Sequence, residues 1–280
     1  MGKALRLLKE LKSLFFITDI RTFSHYCRLI LMNLPAIIKQ KYLGPASERM
    51  TGKDYTFRVF GRPITLEGKY FGRATELYAR NVYFALPEFR LDKDMTVVDL
   101  GANIGAFTIL AALIAKKVIA VEAVSSILEE LKDNVRRNNC SDKVEAVWGI
   151  IGPRSGMLAQ PAIFEESCGD ARPPVLAFQD LLKKYNIEKV DFLKIDIEGS
   201  EFDLFKGDVD WLSKVGLIAM EVHASFISSG TVVSCGDINE IRKVLEKAGF
   251  KVWLLNLNKK IVPEIKDQSG YLYAKNSQLF

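Results

Sequence analysis

Paired cysteines, clustered histidines and long apolar runs are all missing from this 280-residue chain. Its four cysteines, Cys27, Cys140, Cys168 and Cys235, stand far apart and form no CxxC pair. Neither zinc-ligand spacing nor a dense disulfide framework is therefore present, and a reducing, cytoplasmic setting is expected. No apolar stretch approaches the ~20 residues that span a bilayer. The N-terminus is basic, but charges interrupt its apolar residues and no small-residue cleavage site follows, so no secretory signal is expected. Internal repeats and low-complexity tracts are absent as well.

What the chain has is 49% hydrophobic and 26% charged residues, the balance of a soluble protein with a packed core. Its length fits one large α/β domain, or one domain with an appendage. The net charge of +5 is unevenly spread. Residues 1–42 carry eight Lys/Arg (Lys3, Arg6, Lys9, Lys12, Arg21, Arg28, Lys39, Lys41) against Glu10 and Asp19, which makes that segment +6 and leaves −1 for the rest. Basicity thus belongs to an extension and not to the body, which argues against a nucleic-acid groove across the core.

Three regions follow from the patterning. In residues 1–49, Ala4, Leu7, Leu8, Leu11 and Phe15 recur at helical spacing, and a second helical stretch after Arg21 should bend or stop near Pro35. This basic helical extension either packs on the core or lies on an anionic membrane surface. Residues 50–280 form the main domain. Its lead-in, 50–90, reads as a hairpin (Tyr55–Phe60, a Gly61-Arg62-Pro63 turn, Ile64–Leu66) and then a helix over Ala74–Leu86. From 94 onward, seven strand signals (96–100, 118–122, 144–148, 190–195, 216–222, 251–255, 270–274) alternate with helix signals near 104–115, 125–138, 178–185, 200–206 and 236–248. That alternation predicts a doubly wound, Rossmann-like seven-stranded sheet. Residues 152–176, with Gly152-Pro153, Pro161, Gly169 and Pro173-Pro174, break the rhythm and read as a long loop or small arm.

The turn Val98-Asp99-Leu100-Gly101-Ala102-Asn103-Ile104-Gly105 joins the first of these strands to a helix. Glycine there permits close approach of a ligand, and the helix start supplies free N–H groups. The dinucleotide pattern G-x-G-x-x-G is not met, since Asn103 stands two residues after Gly101. Asp99 precedes the glycines and Glu122 ends the next strand, where it can accept from ribose hydroxyls. Two carboxylates would repel a pyrophosphate, so S-adenosylmethionine fits better than NAD. A second cluster, Val190-Asp191-Phe192-Leu193-Lys194-Ile195-Asp196-Ile197-Glu198-Gly199-Ser200-Glu201-Phe202, runs a buried strand into three carboxylates. Such crowding needs positive charge nearby, from a sulfonium, from Lys194 or from a metal ion.

The pairing of VVDLGANIGAFT with VDFLKIDIEGSEFDLFKG closely resembles the FkbM family of class I methyltransferases, over about residues 75–255. The resemblance implies that Asp99, Gly101, Ala102, Asn103 and Gly105 bind the methionine and adenosyl parts of S-adenosylmethionine, that Glu122 holds the ribose, and that Asp196 lies by the reacting methyl. The Glu221-Val222-His223 strand end also looks like the family's. Val121-Glu122-Ala123 departs from a more usual Phe-Glu-Pro, and 152–176 is atypical too.

A hydroxyl acceptor needs its proton removed, and His223, Asp196 or Glu198 could serve as the base. The Asn/Asp-Pro-Pro-Tyr pattern of enzymes that methylate amino groups is absent, which favours an oxygen acceptor: a small molecule, a sugar or a lipid-linked glycan. The acids could ligate Mg²⁺, but no second set of ligands stands at a readable spacing, so no metal is expected. The alternatives are a NAD-dependent oxidoreductase and a non-catalytic, membrane-associated binding protein on the same scaffold.

Overall fold

Apolar residues alternate between two faces along each central strand, and this alternation builds the sheet. Val97, Val118, Ala120, Phe192, Leu217, Ala219 and Tyr273 pack into one core layer. Val98, Leu100, Ile119, Val121, Leu193, Ile195, Ile218 and Met220 pack into the other. A strand buried on both faces reads as a near-continuous apolar run, which is why Thr96–Leu100 and Val190–Ile195 stood out in the sequence. The structure is a computed structural model and describes residues 3–40, 42–152, 168, 172–228, 231–265 and 269–279.

The chain opens with helices α1 (Lys3–Ile17), α2 (Ile20–Met32), α3 (Leu34–Gln40) and α4 (Gly44–Ser47). Asp19 starts α2 by accepting the N–H groups of Arg21 and Thr22. Asn33 closes it, and Pro35 falls in the first turn of α3, where a missing N–H does no harm. Leu14, Tyr26, Leu29 and Ile37 bury one side of these helices in the first core layer. Tyr26 packs on Phe71 at 4.9 Å between ring centroids and shares a 2.8 Å hydrogen bond with Ser47. Buried Glu10 pairs with Arg80 at 3.1 Å.

Strands β1 (Asp54–Val59) and β2 (Arg62–Glu67) form the expected hairpin. Phe60 and Gly61 both have positive φ, 48° and 76°, as a tight hairpin turn requires. The helix expected over Ala74–Leu86 lies earlier. Helix α5 (Phe71–Ala74) runs into a π-turn over Thr75–Ala79, and Asn81 at φ 52° ends it. Asparagine tolerates this left-handed conformation better than most residues, so it terminates a pattern that apolar spacing alone would extend.

The remaining elements are β3 (Thr96–Leu100), α6 (Ala106–Ala112), β4 (Lys117–Glu122), α7 (Ser125–Arg137), β5 (Val144–Trp148), β6 (Ile150–Ile151), β7 (Val175–Leu176), α8 (Phe178–Lys184), β8 (Val190–Ile195), α9 (Glu201–Leu204), β9 (Val215–His223), β10 (Ser225–Ser228), β11 (Thr231–Ser234), α10 (Ile238–Lys247), β12 (Phe250–Leu255), β13 (Ile261–Val262) and β14 (Ser269–Asn276). The main sheet has eight strands in the order β13-β12-β14-β9-β8-β3-β4-β5. Strands β5, β4, β3, β8 and β9 run parallel, and β14 is antiparallel to both its neighbours. Seven strands were expected and are present. The eighth, β13, is a two-residue edge strand pairing Leu254 with Val262 and Leu255 with Ile261. Its turn is held by Asn256, whose side chain accepts from the N–H groups of Asn258 and Lys260. Two residues are too few for a periodicity signal.

The chain moves outward from β3 to β5, then returns to the other side of β3 with β8 and β9. The crevice above the carboxyl ends of β3 and β8 is thus a topological switch point, where folds of this kind bind ligands. Most of the atypical 152–176 stretch lies outside the described residues; Ile150–Ile151, just before it, pairs in parallel with Val175–Leu176 at its end as β6–β7.

Candidate active site

The turn after β3 is held in place from three directions. Gly101 and Ala102 donate their N–H groups to the carbonyl of Val121, at 3.0 and 2.9 Å. Asn103 adopts φ 50°, and its backbone N–H donates to Glu122 Oε2 at 2.8 Å. The other Glu122 oxygen accepts from the N–H of Val124 at 2.8 Å. Glu122 is 8% exposed, and burial raises its pKa despite these hydrogen bonds. Gly105, at φ 84°, starts α6.

Behind the turn lies Lys194, 3% exposed. Its ammonium donates to the carbonyls of Gly101 (2.7 Å) and Leu100 (3.3 Å) and pairs with Asp99 Oδ1 at 3.0 Å. Burial alone would lower the Lys194 pKa, but Asp99 and Asp196 raise it, so the cation persists. The second Asp99 oxygen accepts from Thr108 at 2.6 Å. Asp99 is fully buried, and both its oxygens face protein groups.

At the end of β8 the chain turns through Asp196, Ile197, Glu198 (φ 53°) and Gly199 (φ 92°). Asp196 Oδ2 accepts from the buried Tyr83 hydroxyl at 2.9 Å and lies 3.9 Å from Lys194. From β9, Glu221 and His223 point to one side, two residues apart, as strand geometry dictates. His223 Nδ1 lies 3.2 Å from Glu201 Oε1, and its Nε2 lies 3.7 Å from Glu198 Oε2. Burial alone would lower the His223 pKa. The hydrogen bond to Glu201 and the charges of Glu201, Glu198 and Asp196 overcome this and push it up to about 10. The surrounding acids thus favour the protonated ring, which works against uptake of a hydroxyl proton by His223. Glu221 is raised, chiefly by burial and then by Asp196.

Two adjoining cavities open over these residues. The first, of about 300 Å³, is lined among others by Gly101, Asn103, Glu122, Val124, Ile127 and Ile150. The second, of about 290 Å³, is bordered by Tyr83, Ala102, Lys194, Glu221 and His223. Asp196, Glu198 and Arg73 line both. The fold thus brings together the turn, Glu122, Asp196, Glu198 and His223. It sets Asp99 and Gly105 apart: both shape the turn, and neither lines a cavity.

Sequence reasoning missed Tyr83, Thr108 and Arg73. The first two are ordinary core-pattern residues. Arg73 is one of many exposed arginines, and only the fold places it at the mouth of both cavities.

The first cavity fits S-adenosylmethionine. Glu122 is a buried carboxylate at its wall, suited to a ribose diol. Gly101 offers a wall where no Cβ intrudes, and Val124, Ile127 and Ile150 give apolar surface for a base. The fold is that of class I methyltransferases. Residues 99–252 match the Methyltransferase FkbM domain, and the chain belongs to that family.

Hexuronic acid methyltransferase AglP of Haloferax volcanii is 21% identical over 175 residues, covering 60% of this chain and 68% of that protein. The 23S rRNA (uracil(1939)-C(5))-methyltransferase RlmD of Alcanivorax borkumensis is 35% identical over 81 residues, 29% of this chain but only 18% of its own length. Among solved structures, methyltransferase FkbM from Methylobacillus flagellatus aligns over 88% of this chain and 59% of its own, at 16% identity and a TM-score of 0.48.

Proposed function

We propose that this methyltransferase O-methylates a hydroxyl of a sugar, either free or within a glycan. The observation that carries the reading is the second cavity, where carboxylates and an exposed arginine border the end of the cofactor turn. Bound S-adenosylmethionine supplies an electrophilic methyl group on a sulfonium. The chain's part is to align an acceptor oxygen, exclude water and accept a proton. Asp196 and Glu198 line both cavities and so border the place of the acceptor. Glu122 and the Gly101–Gly105 turn hold the cofactor, while Asp99 acts on it through Lys194 and the turn carbonyls.

Arg73 has no ion-pair partner among the described residues, and its guanidinium suits an acceptor carboxylate. A relative named for hexuronic acid agrees with an acidic sugar. Membership in a methyltransferase family leaves no support for the nicotinamide alternative.

The test is incubation with labelled S-adenosylmethionine and a panel of neutral sugars, hexuronates and RNA. The expected product is a base-stable methyl ether on the hexuronate. A base-labile ester would move the acceptor to the carboxylate, and label in RNA alone would overturn the reading. Within the site, Glu122→Ala removes a charged acceptor worth about 1.5–3 kcal/mol. It should weaken S-adenosylhomocysteine binding roughly 10–100-fold by calorimetry.

The N-terminal helices support a membrane contact. Their inner side packs on the core, yet Leu8, Phe16, Ile20, Leu31, Met32 and Ile38 are each 61–71% exposed. Exposed Lys9, Lys12, Arg21, Arg28 and Lys39 accompany them. Among the described residues no helix is long and apolar enough to cross a membrane. Apolar side chains beside basic ones suit the surface of an anionic bilayer, where each basic residue contributes about 1 kcal/mol. Vesicles rich in phosphatidylglycerol should pellet the intact chain, and a Phe16→Glu/Leu31→Glu/Ile38→Glu variant should stay in the supernatant. Equal pelleting of the two would remove the contact.

A further inference from the structure

The second cavity holds a ligand set that the cofactor turn does not use. Asp196, Glu198 and His223 each offer one ligand atom, and these atoms lie within 4.8 Å of one another. We propose that the three bind one divalent cation of the Mg²⁺/Mn²⁺ class beside the acceptor. Two carboxylates and an imidazole suit such a cation, with Mn²⁺ the better partner for the nitrogen. Octahedral ligands at about 2.1 Å stand roughly 3–4 Å apart, so only a small tightening is needed. Glu198 can supply it, because its side chain is 59% exposed.

Glu201 is a separate indication. It is no part of the ligand set, is fully buried, and fixes His223 through Nδ1 at 3.2 Å. Metal-bound histidines are commonly held this way, with a carboxylate on the far nitrogen and the near nitrogen turned to the metal. Here the near nitrogen, Nε2, faces Glu198. The other Glu201 oxygen, Oε2, is buried with no hydrogen-bond partner among the described residues. Glu201 Oε1 also accepts from the Ile197 N–H at 3.2 Å, and the unpartnered Oε2 leaves this buried carboxylate short of donors.

Lys194 lies 3.9 Å from Asp196, but its hydrogen bonds go to Asp99 and two turn carbonyls. Glu198 and Glu201 lie against the His223 ring, and Asp196 lines the same cavity. A dication would balance them, and the Nε2 proton would leave to solvent as the cation takes its place. Three protein ligands leave about three positions of an octahedron open to water or substrate. Two neighbouring oxygens of a sugar, a diol or a hydroxy-carboxylate, would chelate there. That last step rests on the proposed sugar acceptor; the cation site itself does not.

Titration with MnCl₂, with free Mn²⁺ followed by electron paramagnetic resonance, tests the site. The intact protein should take up one Mn²⁺ per chain, displaceable by Mg²⁺, and Glu198→Gln and His223→Gln should each bind at least tenfold more weakly. Circular dichroism melts of both variants verify that they fold, and Glu198→Gln is on the surface. No uptake by the intact protein, or equal uptake by both variants, would overturn the proposal. Calorimetry with S-adenosylhomocysteine on the same samples separates the two ideas. Cofactor binding without Mn²⁺ binding removes the cation site and leaves the methyltransferase reading standing, whereas failure to bind the cofactor strikes that reading directly.

Discussion

Replacing Gly101 with alanine should abolish cofactor binding and lower the melting temperature by roughly 6–15 °C, about 3–5 kcal/mol. Two independent effects add. Gly101 has φ +72°, a conformation in which a side chain costs about 1–2 kcal/mol. A Cβ there would also meet the backbone oxygen of Asp196 at 1.8 Å, and backbone cannot rotate away as a side chain can. Either the turn or the end of β8 must move. Because the Gly101 N–H bonds Val121 and the Asp196 N–H bonds Leu100, any shift displaces Glu122 or Asp196 as well.

Gly61→Ala is the control. Its φ is +76° and nothing lies within 4 Å of the added Cβ, so it should lose only the conformational contribution and keep full binding. If thermal melts and S-adenosylhomocysteine calorimetry rank the two variants alike, close approach at Gly101 is not what the turn requires.

The same contact explains how much of the site was readable in advance. Glycine, acid and strand end are adjacent in sequence, so the turn and Glu122 were legible from composition and spacing. The central strands were legible for a similar reason, since burial on both faces writes each as a near-continuous apolar run. What stayed hidden depended on long-range placement. Asp99 looked like a ligand-facing acid because it ends a strand, but its direction is decided by Lys194, which reaches it from the neighbouring strand. The sequence also offered Lys194 as one of three sources of charge for the acid cluster without choosing among them. Tyr83 lies 113 residues before its partner Asp196, and no local pattern marks it. His223 reads as a base in the sequence; the acids the fold brings around it, Glu201 first, push its pKa up. Short elements were hidden for a different reason: β13, β6 and β7 have two residues each, and hydrogen bonds in turns fix them more than side-chain periodicity does.

Lys194→Met should be the most destabilising single change outside the glycine turn, at about 3–5 kcal/mol, because it leaves a buried charge without its partner. Asp99 is fully buried, and its other hydrogen-bond partner among the described residues is the Thr108 hydroxyl. Methionine matches the lysine stem in length, so packing against the Tyr83 ring is largely kept and the loss reports on charge. The carbonyls of Leu100 and Gly101 lose their donor as well, which should loosen the cofactor turn. Adding Asp99→Asn separates the two consequences. The double variant has no unpaired charge, and an amide can still meet Thr108. Its stability should recover to within about 1–2 kcal/mol of the parent, since replacing both members of a buried pair is far milder than removing one. Cofactor affinity should stay low, because the turn carbonyls are still unheld. Urea unfolding and S-adenosylhomocysteine calorimetry on the parent, single and double variants would decide it. A double variant no more stable than the single one would mean that Lys194 supports the fold through its hydrogen bonds to the turn and not through Asp99. Recovery of affinity along with stability would mean that the turn needs charge balance alone.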